Sequence, residues 1–432
     1  MTHTQFLRRR LLQGLGAVSL SSLLPRYYAL AHDASAARID AVEIWKFEGR
    51  EEGLGGSNRQ YQMDPGRVHR PPRLDRPADE PAAATSLFGR SAYYLKIRTE
   101  QGAEGLYGPV DKEACIVVQQ QLARVLMGRD ALAGELLWDV MYRSNRHARY
   151  GHYMMGIAAA DNALWDLRGK VFNAPVHRLL GGPSREELEC YASCLGCSFA
   201  DEELEARARR EVAEGFRHIK YFLAWGPKEG EEGLALNVDL VRRLREAVGE
   251  KVRLMFDAFS GWDLPYAMQW CRRVEQYEPW WLEEAFPAAH VEAYEKLRPL
   301  TRIPLATGEH IYNRWEAKRY LDTRALQFLQ VDPEWCGGLS ECVKIVAMAS
   351  AQETYVIAHG HNLHAAVHLA ASQSPATCPL VECLVNKLEG YYYFDPAAPL
   401  PKKGRISIPT APGFGIRLDE SRIEKRTLMQ WA

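Results

Sequence analysis

The chain has 432 residues, a length that suits two domains better than one core. Hydrophobic residues make up 47% and charged residues 25%, as in a soluble globular protein, and the net charge of −1 argues against a nucleic-acid partner or an acidic membrane surface. After the N-terminus no apolar run reaches the roughly 18 residues of a membrane span.

Arg8, Arg9 and Arg10 precede the apolar run 11–24, and Ala29-Leu30-Ala31 supplies a small-x-small cleavage site. This is the layout of a secretory signal, and R-R-x-L-L-Q is similar to the twin-arginine motif. The expectation is export of a folded protein to the periplasm, with residues 1–31 removed or kept as a tether. An amphipathic N-terminal helix is the plainer alternative, and an unused signal leaves the protein cytoplasmic.

Residues 38–48 alternate as a strand does. Residues 49–90 do not, and their Gly- and Pro/Arg-rich stretches predict a mobile loop over a binding site. Arg59, Tyr61, His69 and Arg70 are its candidate contacts for an anionic or polyhydroxy ligand. Strands are predicted at 92–99 and 104–109, then helices near 112–127, 131–145 and 152–171. These elements define an α+β capping domain over residues 36–180. From residue 186 to 395, strand and helix patterns alternate through about eight βα units, the mark of a parallel (β/α)8-type barrel. Residues 396–432 are Pro/Gly-rich, and we expect them to return to the capping domain.

Chemistry collects at the strand ends. Asp257, Glu283, Glu309, Asp332, His359 and Glu382 each close an apolar run or lie within one, at intervals of 23 to 27 residues. In a barrel these positions share the C-terminal mouth. Three carboxylates at about 4 Å repel by roughly 4 kcal/mol per pair, so Asp257, Glu283 and Glu309 call for a cation. Oxygen ligands favour Mg²⁺, or Mn²⁺, over zinc. Glu284 competes with Glu283, but strand alternation sends one of them inward and the other toward the helices. Asp332 and His359 end consecutive strands, and a carboxylate beside an imidazole makes a general base. His310 is a candidate acid or substrate contact, and Glu382 a candidate for assisting proton donation. Lys220, near the end of HIKYFLA, is placed to neutralise a substrate carboxylate. His364 and His368 read as helix-face residues.

From about residue 38 to 420 the chain resembles the mandelate racemase/muconate lactonizing branch of the enolase superfamily. ADNALWDLRGK-x₄-PVHRLLGG is similar to the segment joining that family's capping domain to its barrel. Asp257, Glu283 and Glu309 match its Mg²⁺ ligands, and Asp332 and His359 its Asp–His dyad. ATGEHIYNRW, QVDPEWCGGLSE and IAHG are similar to the rhamnonate dehydratase group. The resemblance implies a homo-oligomer acting on a small carboxylate, with loss of an α-proton and a β-hydroxyl giving a 2-keto-3-deoxy acid. Glu382 becomes proton donor or substrate ligand. One departure matters: the K-x-K of racemases is Lys220-x-Phe222 here, so the second base is missing.

Three other readings remain. A racemase or epimerase would use the same enolate chemistry. Cys190, Cys194 and Cys197 have the spacing of a radical-SAM iron–sulfur motif, although Cys190 begins a strand. A non-catalytic acid-sugar binding protein would leave the dyad unused. The nine cysteines otherwise lie mostly in apolar runs, and no disulfide framework is expected.

Overall fold

The computed structural model describes residues 37–53, 65–69, 71–72, 74, 86–196 and 201–431. The export signal in residues 1–31, the ligand contacts Arg59, Tyr61 and Arg70, and Cys197 fall outside these residues.

β1 (Ile39–Gly53) and β2 (Ser86–Thr99) form a long antiparallel pair, in register from Ile39↔Thr99 to Gly53↔Ser86. The reading of 49–90 as loop is therefore corrected at both ends. Alternation stops at 48, but the backbone ladder continues through Gly49↔Arg90 and Glu51↔Phe88, and Arg90 donates to Glu51 at 2.7 Å. Ladder hydrogen bonds need no apolar side chain, so periodicity cannot see them. β3 (Glu104–Val110) pairs with β2 and lies directly on the helix His152–Val171. A Cβ at Gly105 would sit 2.1 Å from the carbonyl oxygen of Ala163, so only glycine permits that approach.

The barrel strands are β4 (Glu187–Ser193), β5 (His218–Phe222), β6 (Arg253–Asp257), β7 (Trp281–Glu283), β8 (Leu305–Thr307), β9 (Phe328–Leu329), β10 (Tyr355–Val356) and β11 (Leu380–Leu384). They pair in parallel in the order β10-β9-β8-β7-β6-β5-β4-β11. The two ends of this path meet where Gly360 faces Glu382, since a Cβ there would lie 2.6 Å from the Glu382 carbonyl. Tyr191, Met255, Trp281, Ala306, Phe328, Ile357 and Leu380 form one buried cluster, with contributions from β4, β6, β7, β8, β9 and β11 and from just past β10. The barrel is thus filled below its mouth, and chemistry is confined to the upper rim. Two later strands tie the chain together. β12 (Arg405–Ser407) runs antiparallel to β4, and β13 (Lys425–Leu428) completes the capping sheet against β1 through Trp45↔Leu428.

The eight described cysteines are free and buried. Cys190 lies inside β4, packed in the main core. No described helix is long and apolar enough to cross a membrane.

His218, the first residue of β5, stacks 4.8 Å from Trp280. Burial lowers its pKa to about 4, and Arg253 and Arg217 add to the effect; Glu189 at 3.4 Å does not offset it. The folded protein therefore keeps this ring neutral, while the unfolded chain protonates it near pH 6.5. Its contribution is complete above pH 6.5 and is lost as pH falls toward 4. His218→Gln should reduce the acid loss of stability across that window by about 2–3 kcal/mol, read from denaturant midpoints at pH 7 and pH 4.5.

Candidate active site

Asp257 closes β6, Glu283 closes β7, and Glu309 lies two residues beyond β8. Register puts Asp257 beside Glu283, and one oxygen from each of the three carboxylates lies within 4.8 Å of the others. All three are buried. Burial raises their pKa values, and the adjoining carboxylates push the same way.

Lys220 is the nearest counter-charge. It is the third residue of the five-residue β5, below the rim, and its side chain is 1% exposed. Its ammonium reaches Glu382 at 2.8 Å and Asp257 at 3.3 Å, and also pairs with Glu283. The sequence reading offered Lys220 to a substrate carboxylate; in the structure its contacts are to protein carboxylates. Its depth in the strand is the reason. The carboxylates hold its pKa far above the ordinary lysine value against the opposing effect of burial.

Glu284 does not turn toward the helices. Its φ of +44° takes it out of strand geometry, so alternation no longer applies. Its carboxylate accepts from Ser260 Oγ at 3.2 Å and pairs with His310 Nδ1 at 2.8 Å. With Glu309 and His310 it forms a second group of closely spaced ligand atoms. Six buried carboxylates (Asp257, Glu283, Glu284, Glu309, Asp332 and Glu382) face three cationic groups, Lys220, His310 and His359. The excess negative charge and the all-oxygen donor set of Asp257, Glu283 and Glu309 fit a hard divalent cation.

Asp332 and His359 follow β9 and β10 by three residues each. Asp332 Oδ2 holds His359 Nδ1 at 2.5 Å, and Asp332 Oδ1 accepts from the Glu334 amide at 2.6 Å. This leaves His359 Nε2 for the site, 3.6 Å from Glu309 and 4.0 Å from Glu382. Burial alone would lower the His359 pKa. The Glu309 charge, the Asp332 hydrogen bond and the Glu382 charge override it and raise the value to about 10. His310 is raised to about 9, again against burial, by its bond to Glu284. Glu382 accepts from the Gly360 amide at 2.9 Å. Lys220 and His359 hold its pKa below the usual carboxylate range although burial opposes them.

Spacing did not reveal several neighbours. Trp335 stands between the two histidines, 5.6 Å from His310 and 5.0 Å from His359. Asp111 follows β3 in the capping domain, yet reaches Trp335 Nε1 at 3.3 Å and His361 at 3.4 Å. At the end of β5, Phe222 packs with Leu195, Leu384 and Phe259, and its ring lies 5.2 Å from the Lys220 ammonium. His364 and His368 are wholly buried in the helix Leu363–Ser372, away from this mouth; His364 faces Asp395 at 3.0 Å.

Residues 203–422 match the family described as enolase C-terminal domain-like, and residues 68–181 match the mandelate racemase/muconate lactonizing enzyme N-terminal domain. The chain belongs to the enolase superfamily. The L-rhamnonate dehydratase of Saccharopolyspora erythraea is 33% identical over 338 residues, covering 75% of this chain and 82% of that one. The crystal structure of rhamnonate dehydratase from Gibberella zeae complexed with Mg has a TM-score of 0.73 at 26% identity, covering 89% of this chain and 95% of that one. The 3,6-anhydro-D-galactonate cycloisomerase of Zobellia galactanivorans has a TM-score of 0.71 at 26% identity, covering 90% and 100%.

If Asp257, Glu283 and Glu309 are the ligands of Mg²⁺, their raised pKa values require protons to leave as it binds, so affinity should weaken as pH drops through neutrality rather than near pH 4. Calorimetry should show about tenfold weaker Mg²⁺ binding at pH 6 than at pH 8.5, with protons released to buffer. Pairing Asp257→Asn with the same titration should remove the high-affinity site. Affinity that is flat across this range would refute proton release from these carboxylates.

Proposed function

We propose that this enzyme is a Mg²⁺-dependent acid-sugar dehydratase, acting on an aldonate in the manner of the rhamnonate dehydratases it resembles. The observation that carries the reading is the one-sided base. His359, fixed by Asp332, faces the carboxylate triad, while the rim at the ends of β4, β5 and β11 is apolar at Leu195, Phe222 and Leu384. Lys220 lies below the rim with its ammonium against Asp257, Glu283 and Glu382, and Phe222 stands at the rim position where the K-x-K pattern has its second lysine. Racemisation needs proton removal on one face and return on the other. Elimination needs one base and one acid.

Asp257, Glu283 and Glu309 would hold Mg²⁺, which when bound stabilises the negative charge developing on the substrate carboxylate. The Glu309 charge, which does most to hold the His359 proton, would be offset once Glu309 is committed to the cation; neutral His359 Nε2 then takes the proton α to that carboxylate, and Asp332 steadies the imidazolium through Nδ1. As the α-carbon forms its double bond to the β-carbon, the β-hydroxyl departs. His310 is the better donor to it. Glu284 keeps it protonated and its ring is half-exposed to the mouth, whereas Glu382 is ionised by Lys220 and His359. Water leaves, and the enol tautomerises to the 2-keto-3-deoxy acid. Trp335 lines the space between base and acid.

His359→Asn should lower turnover by about 10²–10⁴-fold while Mg²⁺ still binds. The decisive assay is a screen of acid sugars with Mg²⁺, detecting keto acid. Exchange of the α-proton in D₂O without keto-acid formation would favour the racemase reading instead. Full activity in His359→Asn would remove the base assignment.

A further inference from the structure

Between the capping sheet and the barrel lies a cavity of about 620 Å³, lined by none of the triad or dyad residues. Its walls include Arg90 from β2, Asp111 and Lys112 after β3, and Lys387 and Tyr391 after β11. Lys387 is half-buried and has no ion-pair or side-chain hydrogen-bond partner among the described residues. Arg90 is held at the wall by Glu51 at 2.7 Å, and Gly390 leaves room for its guanidinium, since a Cβ there would lie 2.7 Å from Nη1. Lys112 is exposed. These three cations share the cavity with one carboxylate, Asp111, which is already engaged by His361 and Trp335. The cavity is therefore positive where the metal floor beside it is negative.

The two regions share a wall. Tyr391 Oη and Asp111 reach His361 at 3.3 and 3.4 Å, and the His361 ring is stacked 6.4 Å from that of His359. One imidazole separates the cavity from the base. The geometry points to a distal subsite for a second acid group, in which Lys387 pairs with the far carboxylate of a sugar dicarboxylic acid whose near carboxylate lies over Asp257, Glu283 and Glu309. Among the described residues the half-buried Lys387 ammonium feels Glu309, Asp111 and Glu382 but makes an ion pair with none of them, and burial lowers its pKa. A substrate ending in a hydroxyl or methyl group would leave it unpaired, whereas a carboxylate gives it a charge-assisted contact. Lys387 is here a specificity-determining binding residue. The inference rests on the dehydratase reading for the placement of the near carboxylate and departs from it in the substrate, a sugar diacid in place of an aldonate.

The test is calorimetry of the full chain with Mg²⁺ in the turnover-silent His359→Asn background. Galactarate and glucarate are compared with galactonate and gluconate. The diacids should bind about tenfold or more tightly than the matching monoacids, the scale of one charge-assisted contact. Adding Lys387→Met should shrink that gap to about twofold and leave the monoacids unchanged, and Lys387→Arg should retain most of it. Equal binding of diacid and monoacid in the parent, or equal weakening of both by Lys387→Met, overturns the subsite. The two readings fail separately. If the unmodified enzyme dehydrates no acid sugar but the diacid preference and its loss persist, the subsite stands and the dehydratase reading falls. Dehydration of monoacids with no diacid preference does the reverse.

Discussion

The barrel mouth is governed by one electrostatic problem, the burial of several carboxylates within a few ångströms of one another. At about 4 Å each like-charged pair costs roughly 4 kcal/mol at a moderate effective dielectric, and burial adds a solvation cost. Lys220 offsets part of it from inside the barrel by touching Asp257, Glu283 and Glu382 together. His310 and, while no cation offsets Glu309, His359 offset another part by staying protonated. Whatever remains is an affinity for a hard cation. Pairing, proton retention and metal binding are three answers to the same charge, so a change at one of these residues alters the others.

The capping domain takes part in this balance from a distance in sequence. Asp111 reaches over to His361 and Trp335. Tyr107 and Asn162 bind Glu334, whose amide in turn fixes Asp332. Burial and the Asp332 charge raise the Glu334 pKa well above normal, and this buried carboxyl group links the cap to the base. The dyad is oriented by both domains, although both of its members belong to the barrel.

The barrel and its rim chemistry were legible because a βα unit has a nearly fixed length. Asp257, Glu283, Glu309, Asp332, His359 and Glu382 keep that interval and do gather at one mouth. What was not legible depended on backbone detail or on contacts between domains. Glu284 escaped the alternation rule through a single positive φ. Strand β1 ran past its apolar pattern because hydrogen bonds, not burial, extend it. Lys220 sits at a depth that spacing does not report. Lys387 and Asp111 meet only after the cap folds onto the barrel, and no local pattern marks such a pair.

The pairing of β13 with β1 joins the first described strand to one that follows every other described strand. During synthesis the cap must therefore wait, with the outer edge of β1 open, until residues 425–428 leave the ribosome. Until then the open edge of β1 is an unpaired strand edge for chaperones and proteases to recognise.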